Sequence, residues 1–148
     1  MNIQTLTVTV SAPREVVFNF FADIENLPKW AVGYCERVTL QRGGWWALTA
    51  EGDQTVAIDI NADSGVVDLR SGHGRERVSL VPIRIVALEP RLTLVSVTLI
   101  DVAGLGAESF SRRCRLLREA LKKLPVRFGG GELHAGEPTP QLLELGLN

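Results

Sequence analysis

The chain has 148 residues, of which 45% are hydrophobic and 22% are charged, and its formal net charge is −1. This length and composition predict one soluble globular domain and exclude a disordered or low-complexity chain. A net charge so close to zero gives no reason to expect nucleic acid or an anionic membrane as an obligatory partner.

The first elements predicted along the chain are one strand and two short helices. Ile3–Val10 alternates leucine and valine with threonine, which is the pattern of a half-buried strand. Pro13 fits the beginning of a helix that ends near Asp23. Pro28 favours a second, tighter helical turn over residues 24–30.

A series of short extended segments follows, and glycine-rich or asparagine-rich turns separate them. The pattern predicts an antiparallel meander with strands at 34–41, 45–51, 55–60, 66–71, 78–87 and 92–101. Pro82 lies inside the fifth of these segments. Because proline cannot donate to a strand ladder, Pro82 predicts a bulge or an edge position.

Residues 104–124 are the only segment that predicts a long helix. Its apolar stripe consists of Phe110, Cys114, Leu117, Leu121 and Leu124, at helical spacing. Most of the preceding chain reads as strand, so the stripe is expected to pack on a sheet. Pro125 is expected to end the helix, and the arginines and lysines between the apolar positions are interpreted as its solvated face.

The composition changes after Pro125, so we expect a domain at 1–125 and a separate tail at 126–148. Residues 129–138 contain three successive glycines with one proline and predict a flexible linker. Residues 141–147 predict one amphipathic helical turn whose leucines need a surface. The tail is either a frayed terminus or docked on a surface. A docking surface would lie on the same domain or on a neighbouring chain, which leaves a homodimer through the tail open.

The two cysteines, Cys35 and Cys114, are interpreted as buried free thiols, because they form no CxxC pair and no histidine completes a metal set. The first residues lack the features of an export signal. The longest uncharged apolar run, 92–100, is too short to span a bilayer. We therefore expect a cytoplasmic protein with no membrane insertion, no metal and no cofactor.

Residues 8–30, VTVSAPREVVFNFFADIENLPKW, resemble the opening of START-like domains, the SRPBCC or polyketide cyclase/dehydratase and lipid transport superfamily. The matching positions are Ala12, Pro13, Glu15, Val16, Phe18, Phe20, Asp23, Glu25, Leu27, Pro28 and Trp30. The order of predicted elements extends the resemblance through residue 124. It implies an α+β helix-grip fold, in which a seven-stranded antiparallel sheet curls around the long C-terminal helix. Two short helices lie between strands 1 and 2, and a cavity lies between the sheet and the long helix.

The alternation of each strand then predicts which side chains point into that cavity. In the third strand, Trp46, Leu48 and Ala50 are assigned to the inner face. The polar residues expected to face inward are Tyr34, Glu36, Ser71 and His73. The residues predicted to contact a ligand are Trp30, Tyr34, Trp46, Ile58, Leu69, Ile83, Val97, Phe110, Cys114 and Leu117.

Three functions follow from this interpretation. The first is binding of a small hydrophobic or aromatic molecule, lipid-like or polyketide-like, because the inner list is mainly apolar with few polar groups. The second, implied by the resemblance, is a polyketide cyclase or dehydratase that uses Tyr34, Glu36 or His73 for acid–base chemistry. The third is an assembly module whose C-terminal tail docks on a partner. The sequence shows no convincing catalytic constellation, so catalysis is left open.

Overall fold

The computed structural model describes residues 1–31, 34–50, 52–73, 76–101 and 106–134. Strand β1 (Ile3–Val10) is followed by helix α1 (Arg14–Ala22), a 3-10 turn (Ile24–Asn26) and helix α2 (Leu27–Trp30). The remaining elements are β2 (Cys35–Gln41), β3 (Gly44–Thr49), β4 (Gly52–Asn61), β5 (Val66–His73), β6 (Glu76–Glu89), β7 (Leu92–Ile100), α3 (Ala107–Arg127) and β8 (Gly131–His134).

The strands form one antiparallel sheet in the order β2-β3-β4-β5-β6-β7-β1-β8. This order confirms the predicted α+β helix-grip architecture, with short helices between β1 and β2. The described residues form eight strands rather than the predicted seven. The additional strand is β8, which pairs with the otherwise free side of β1.

Helix α3 carries the apolar stripe that the sequence predicts. Phe110, Cys114, Leu117, Leu121 and Leu124 are all buried, and the helix contacts β1, β8 and α2. The prediction that Pro125 ends the helix is wrong, because the helix continues to Arg127. Pro125 lies in the last turn, where its carbonyl oxygen has no partner within the regular helix. This oxygen accepts hydrogen bonds from Phe128 N (3.0 Å) and Gly130 N (2.8 Å).

The three glycines after α3 form a tight connection to the sheet. Residues 131–134 are strand β8, whereas the glycine content predicts a flexible linker there. Gly131 has a φ of +141°, and a Cβ at this position would lie 1.9 Å from Thr9 O. The glycines are therefore needed for a close backbone approach. Residues 135–148, including the predicted amphipathic turn, lie outside the described residues.

Pro82 occupies a position in β6 that is paired on one side. It is opposite Asp68 of β5, while the described ladder between β6 and β7 begins at Ile83. β6 is an internal strand of the sheet, but at Pro82 its only described partner is β5, so the proline removes no described hydrogen bond to β7.

The core lies between the concave face of the sheet and the helices. Helix α1 contributes Val17, Phe18 and Phe21, and the Phe21 ring lies 5.3 Å from the Trp30 ring. The Arg14 side chain donates to the carbonyl oxygens of Ile85 and Ala62, which ties α1 to the sheet. These contacts hold the first turn of α1 against β6 and the β4–β5 turn. The opposite end of α1, at Ala22, borders the candidate site.

Candidate functional site

A cavity of about 680 Å³ lies between the end of α1 and strands β3, β4 and β5. We call it the concave cavity. Its lining comprises Ala22, Asp23, Ile24, Arg42, Gly43, Gly44, Trp45, Trp46, Thr55, Val56, Ala57, Ile58, Arg70, Ser71 and Gly72. It is thus formed by the helix corner, the β2–β3 turn and three adjacent strands.

Strand register explains the chemistry of this lining. Trp45 pairs with Val56, and Val56 pairs with Ser71, so an indole, an aliphatic group and a hydroxyl form one cross-strand row. Ile58 lies two residues along from Val56 on the same face. Ser71 is 6% exposed, which places its hydroxyl deep in a mainly apolar surround.

Polar groups are concentrated at the rim. Arg42 is exposed in the β2–β3 turn, where Gly43 has a φ of +83° that favours glycine. Asp23 caps the 3-10 turn by accepting a hydrogen bond from Glu25 N (3.0 Å). Arg70 forms an exposed ion pair with Asp59 (2.8 Å). The lining thus combines the apolar side chains of Trp45, Val56 and Ile58 with polar and charged groups, which suits a molecule that has both an apolar part and a polar end.

The predicted facing of the tryptophans needs correction. Ala47 is fully buried and Trp45 packs against the core, so the inner face of β3 is the one that carries Trp45. The assignment of Trp46, Leu48 and Ala50 to the inner face is wrong. It rested on apolar character, but Leu48 on the other face is half-buried, so hydrophobicity alone does not distinguish the two faces. Both tryptophans nevertheless line the concave cavity.

The predicted ligand contacts fall into two groups. Trp46 and Ile58 line the concave cavity. The others belong to the packed core or lie against it: Trp30, Tyr34, Leu69, Ile83, Val97, Phe110, Cys114 and Leu117. No residue of α3 lines the concave cavity as described. A ligand-binding role for the second group stays a prediction.

The interior contains a polar pair that includes a residue absent from the prediction. The Tyr34 hydroxyl donates a hydrogen bond to Gln54 Oε1 (2.6 Å), and the Arg113 guanidinium lies 5.9 Å from the Tyr34 ring centre. Gln54 is only 7% exposed. The alternation of β4 predicts that Gln54 faces inward, because it places Gln54 on the same face as Val56 and Ile58.

Of the other candidate acid–base residues, Glu36 is exposed rather than inward-facing. A β-bulge between Cys35 and Arg37 inserts Glu36 as an extra residue and changes the facing of the strand. His73 lies in β5, but its side chain is outside the described part of the molecule. The structure therefore does not bring Tyr34 and Glu36 together, and these are the two candidates whose side chains it describes.

Both cysteines are buried thiols. Burial raises the pKa of the Cys35 thiol from 9.0 to about 11, and a backbone hydrogen bond at Arg37 opposes this shift in part. Such a thiol is protonated at neutral pH and is a poor nucleophile. Within the described ranges there is no cluster of three metal-ligating side chains.

The element order, the antiparallel sheet and the long helix α3 together define a helix-grip fold. No family model matches the sequence, and a search of curated proteins gives no match. Solved structures do match. A START superfamily protein from Mycobacterium smegmatis is 17% identical with a TM-score of 0.58, and the alignment covers 84% of this chain and 97% of that one.

Two further similar structures carry different functional descriptions. The Zhui aromatase/cyclase from Streptomyces sp. R1128 is 19% identical with a TM-score of 0.54, covering 87% of this chain and 98% of that one. An HSP90 activator from Plasmodium falciparum is 15% identical with a TM-score of 0.60, covering 89% and 99%. This chain therefore has the START-like fold, and the fold alone does not determine the activity. No helix in the described part of the chain is long and apolar enough to cross a bilayer.

Proposed function

We propose that this protein binds a small, mainly apolar molecule in the concave cavity. The observation that carries the proposal is the row formed by Trp45, Val56 and Ser71, which lines a space of about 680 Å³. Ligand pockets typically occupy about 300–1,000 Å³ and combine apolar walls with a few polar groups. The volume and the chemistry of this row both agree with that description.

The arrangement also indicates how a ligand would be oriented. Trp45 and Ile58 offer apolar contact area, and an aromatic ring in the ligand would gain from stacking on an indole. The Ser71 hydroxyl can donate or accept one hydrogen bond in the interior. A polar or anionic end of the ligand would lie at the rim beside Arg42. The similar structure from Mycobacterium smegmatis supports the fold that encloses this cavity.

Catalysis has less support from the described residues. Acid–base chemistry needs titratable groups within hydrogen-bond reach of a substrate. Glu36 is exposed, and the Tyr34 hydroxyl is committed to Gln54. No observed contact favours a cyclase or dehydratase over a binding protein, so binding is the function we propose.

The first experiment is native mass spectrometry of the purified protein, with a search for a small molecule that co-purifies. The second uses the fluorescent apolar probe 1-anilinonaphthalene-8-sulfonate. Replacing Ile58 with tryptophan fills the concave cavity, and we expect affinity for the probe to fall about tenfold or more, which corresponds to about 1.4 kcal/mol.

Ile60→Trp provides the matched control. Ile60 lies on the same strand, is 55% exposed and does not line the concave cavity. Ile60→Trp should bind the probe like the wild type. Equal binding by a folded Ile58→Trp variant, with folding verified by circular dichroism, would refute the proposed site.

A further inference from the structure

A second depression, of about 710 Å³, lies on the outer face of the sheet and does not belong to the concave cavity. We call it the outer groove. It is lined by Thr7, Thr9, Leu88, Leu92, Leu94, Gly131, Glu132 and His134. The groove lies on the outer face because its residues in β1 and β7 alternate with fully buried ones such as Val8 and Val95, which face the core.

The outer groove has an apolar end and a polar end. Strand register places Val86, Leu94, Thr9 and Glu132 side by side across four strands. The apolar end is formed by Leu88, Leu92 and Leu94, and Leu88 is 50% exposed to water. Val86, which pairs with Leu94 but does not line the groove, is 46% exposed. The outward positions of β1 are Ile3, which is 60% exposed, and Thr5, Thr7 and Thr9. Adjacent exposed apolar side chains at one end of the groove offer contact area to an apolar segment.

The path of the chain brings its last residues to this groove. Strand β8 ends at His134, which itself lines the outer groove and lies within hydrogen-bond distance of Thr9 (3.3 Å). Residues 135–148 continue from that point and lie outside the described residues. They include Leu142, Leu143, Leu145 and Leu147.

The spacer between β8 and these leucines has sufficient length. Residues 135–140 can span at most about 20 Å when extended. The four residues of β8 that border the groove extend over roughly 14 Å. The leucines can therefore reach any part of the outer groove from the same chain.

We propose that residues 141–147 bind in the outer groove of their own chain, with leucine side chains against Leu88, Leu92 and Leu94. A second copy of the chain is the rival occupant. A short tether gives the tail an effective concentration on the order of millimolar at its own groove, which exceeds the concentration of separate chains in dilute solution. The same-chain arrangement is therefore favoured. It does not depend on a ligand in the concave cavity.

Paramagnetic relaxation enhancement in the full chain tests this proposal. The natural cysteines are buried, at 3% and 4% exposure, so a nitroxide attached to Gly146→Cys marks the tail alone. We expect amide signals of Leu88 and Leu94 to lose intensity. Amide signals of Leu40 and Ile60, which are exposed residues outside the outer groove, should keep theirs.

A mixed sample separates the two occupants. Isotope-labelled wild-type protein is combined with unlabelled protein that carries the nitroxide. The proposal expects no loss at Leu88 and Leu94 in this mixture. A loss in the mixture would assign the groove to a second copy and overturn the proposal, as would the absence of any loss in the single-protein sample.

A substitution in the groove provides the control for specificity. Leu88→Ser removes an exposed apolar contact, so it should not unfold the protein, and it should restore the intensity at Leu94 in the nitroxide sample. Ile60→Ser changes an equally exposed apolar residue outside the groove and should leave the intensity loss intact. If Leu88→Ser leaves the loss at Leu94 unchanged, the apolar end does not hold the tail.

Discussion

Replacing Gly131 with alanine should detach β8 from the sheet. The new Cβ would lie 1.9 Å from Thr9 O and 2.8 Å from Thr9 C, and these backbone atoms cannot rotate away as a side chain can. The strain is relieved only if β8 moves away from β1. The four residue pairs between these strands would then be lost.

The loss in the free energy of unfolding caused by this substitution has an upper limit, because it cannot exceed the free energy needed to release β8 from the sheet. A ladder of four pairs holds about two to four interstrand hydrogen bonds, each contributing about 1 kcal/mol net, which gives about 2–4 kcal/mol. Because the released residues regain conformational entropy, the true value lies below this limit. A loss of 2 kcal/mol would lower the Tm by roughly 4–8 °C in a chain of this length.

Hydrogen exchange is the decisive assay, since it reports on individual strands. Gly131→Ala should remove protection from the β8 amides. Gly129→Ala is the matched control, because Gly129 has a φ of +85° but no atom within 4 Å of its added Cβ. It should cost about 1–2 kcal/mol of backbone strain and leave β8 protected. Protected β8 amides in Gly131→Ala, with the Tm of the wild type, would refute the steric argument.

Two predictions concern the stability of the core. Leu121 is fully buried on α3, so Leu121→Ala should lower the free energy of unfolding in urea by about 2–5 kcal/mol. Val126→Ala, at a site that is 82% exposed on the same helix, should change it by about 0.5 kcal/mol or less, and equal effects would contradict the packing of α3. Burial raises the folded-state pKa of Cys35 from 9.0 to about 11. The neutral thiol therefore contributes its full stabilisation of the folded state below pH 9, and this stabilisation is lost as the pH rises through 11. This loss should amount to roughly 2–3 kcal/mol relative to Cys35→Ala, measured by urea unfolding between pH 8 and 11; parallel stability curves for the two proteins would contradict it.

The sequence predicts much of the fold because simple periodicity determines most of it. Alternation in β1, β5 and β7 and the helical spacing from Phe110 to Leu124 each correspond to one buried face in the structure. The glycines at 129–131 led to the wrong prediction of a flexible linker, because glycine permits both a flexible linker and a close approach between backbones. Only the position of Thr9 beside Gly131 distinguishes the two.

The site is less predictable than the fold, for two physical reasons. The bulge at Glu36 results from pairing between strands, and no local pattern in β2 indicates it. The location of the concave cavity depends on how far the helices extend over the sheet. Ile58 and Ser71 line it as their alternation predicts, but no residue of α3 does, although the resemblance implies a cavity between the sheet and that helix. Gln54 could have been identified as an inward-facing polar residue from the alternation of β4 alone.

Strand β8 also affects the order in which the protein can fold. Strands β2 to β7 pair with neighbours in the sequence, so their hairpins can form as the chain emerges from the ribosome. In contrast, residue 3 of β1 pairs with residue 100, and residue 10 pairs with residue 131. The first strand to be synthesised is therefore the last to be completed. Until the C-terminal residues arrive, the apolar face of β1 depends on protection from chaperones or from transient contacts.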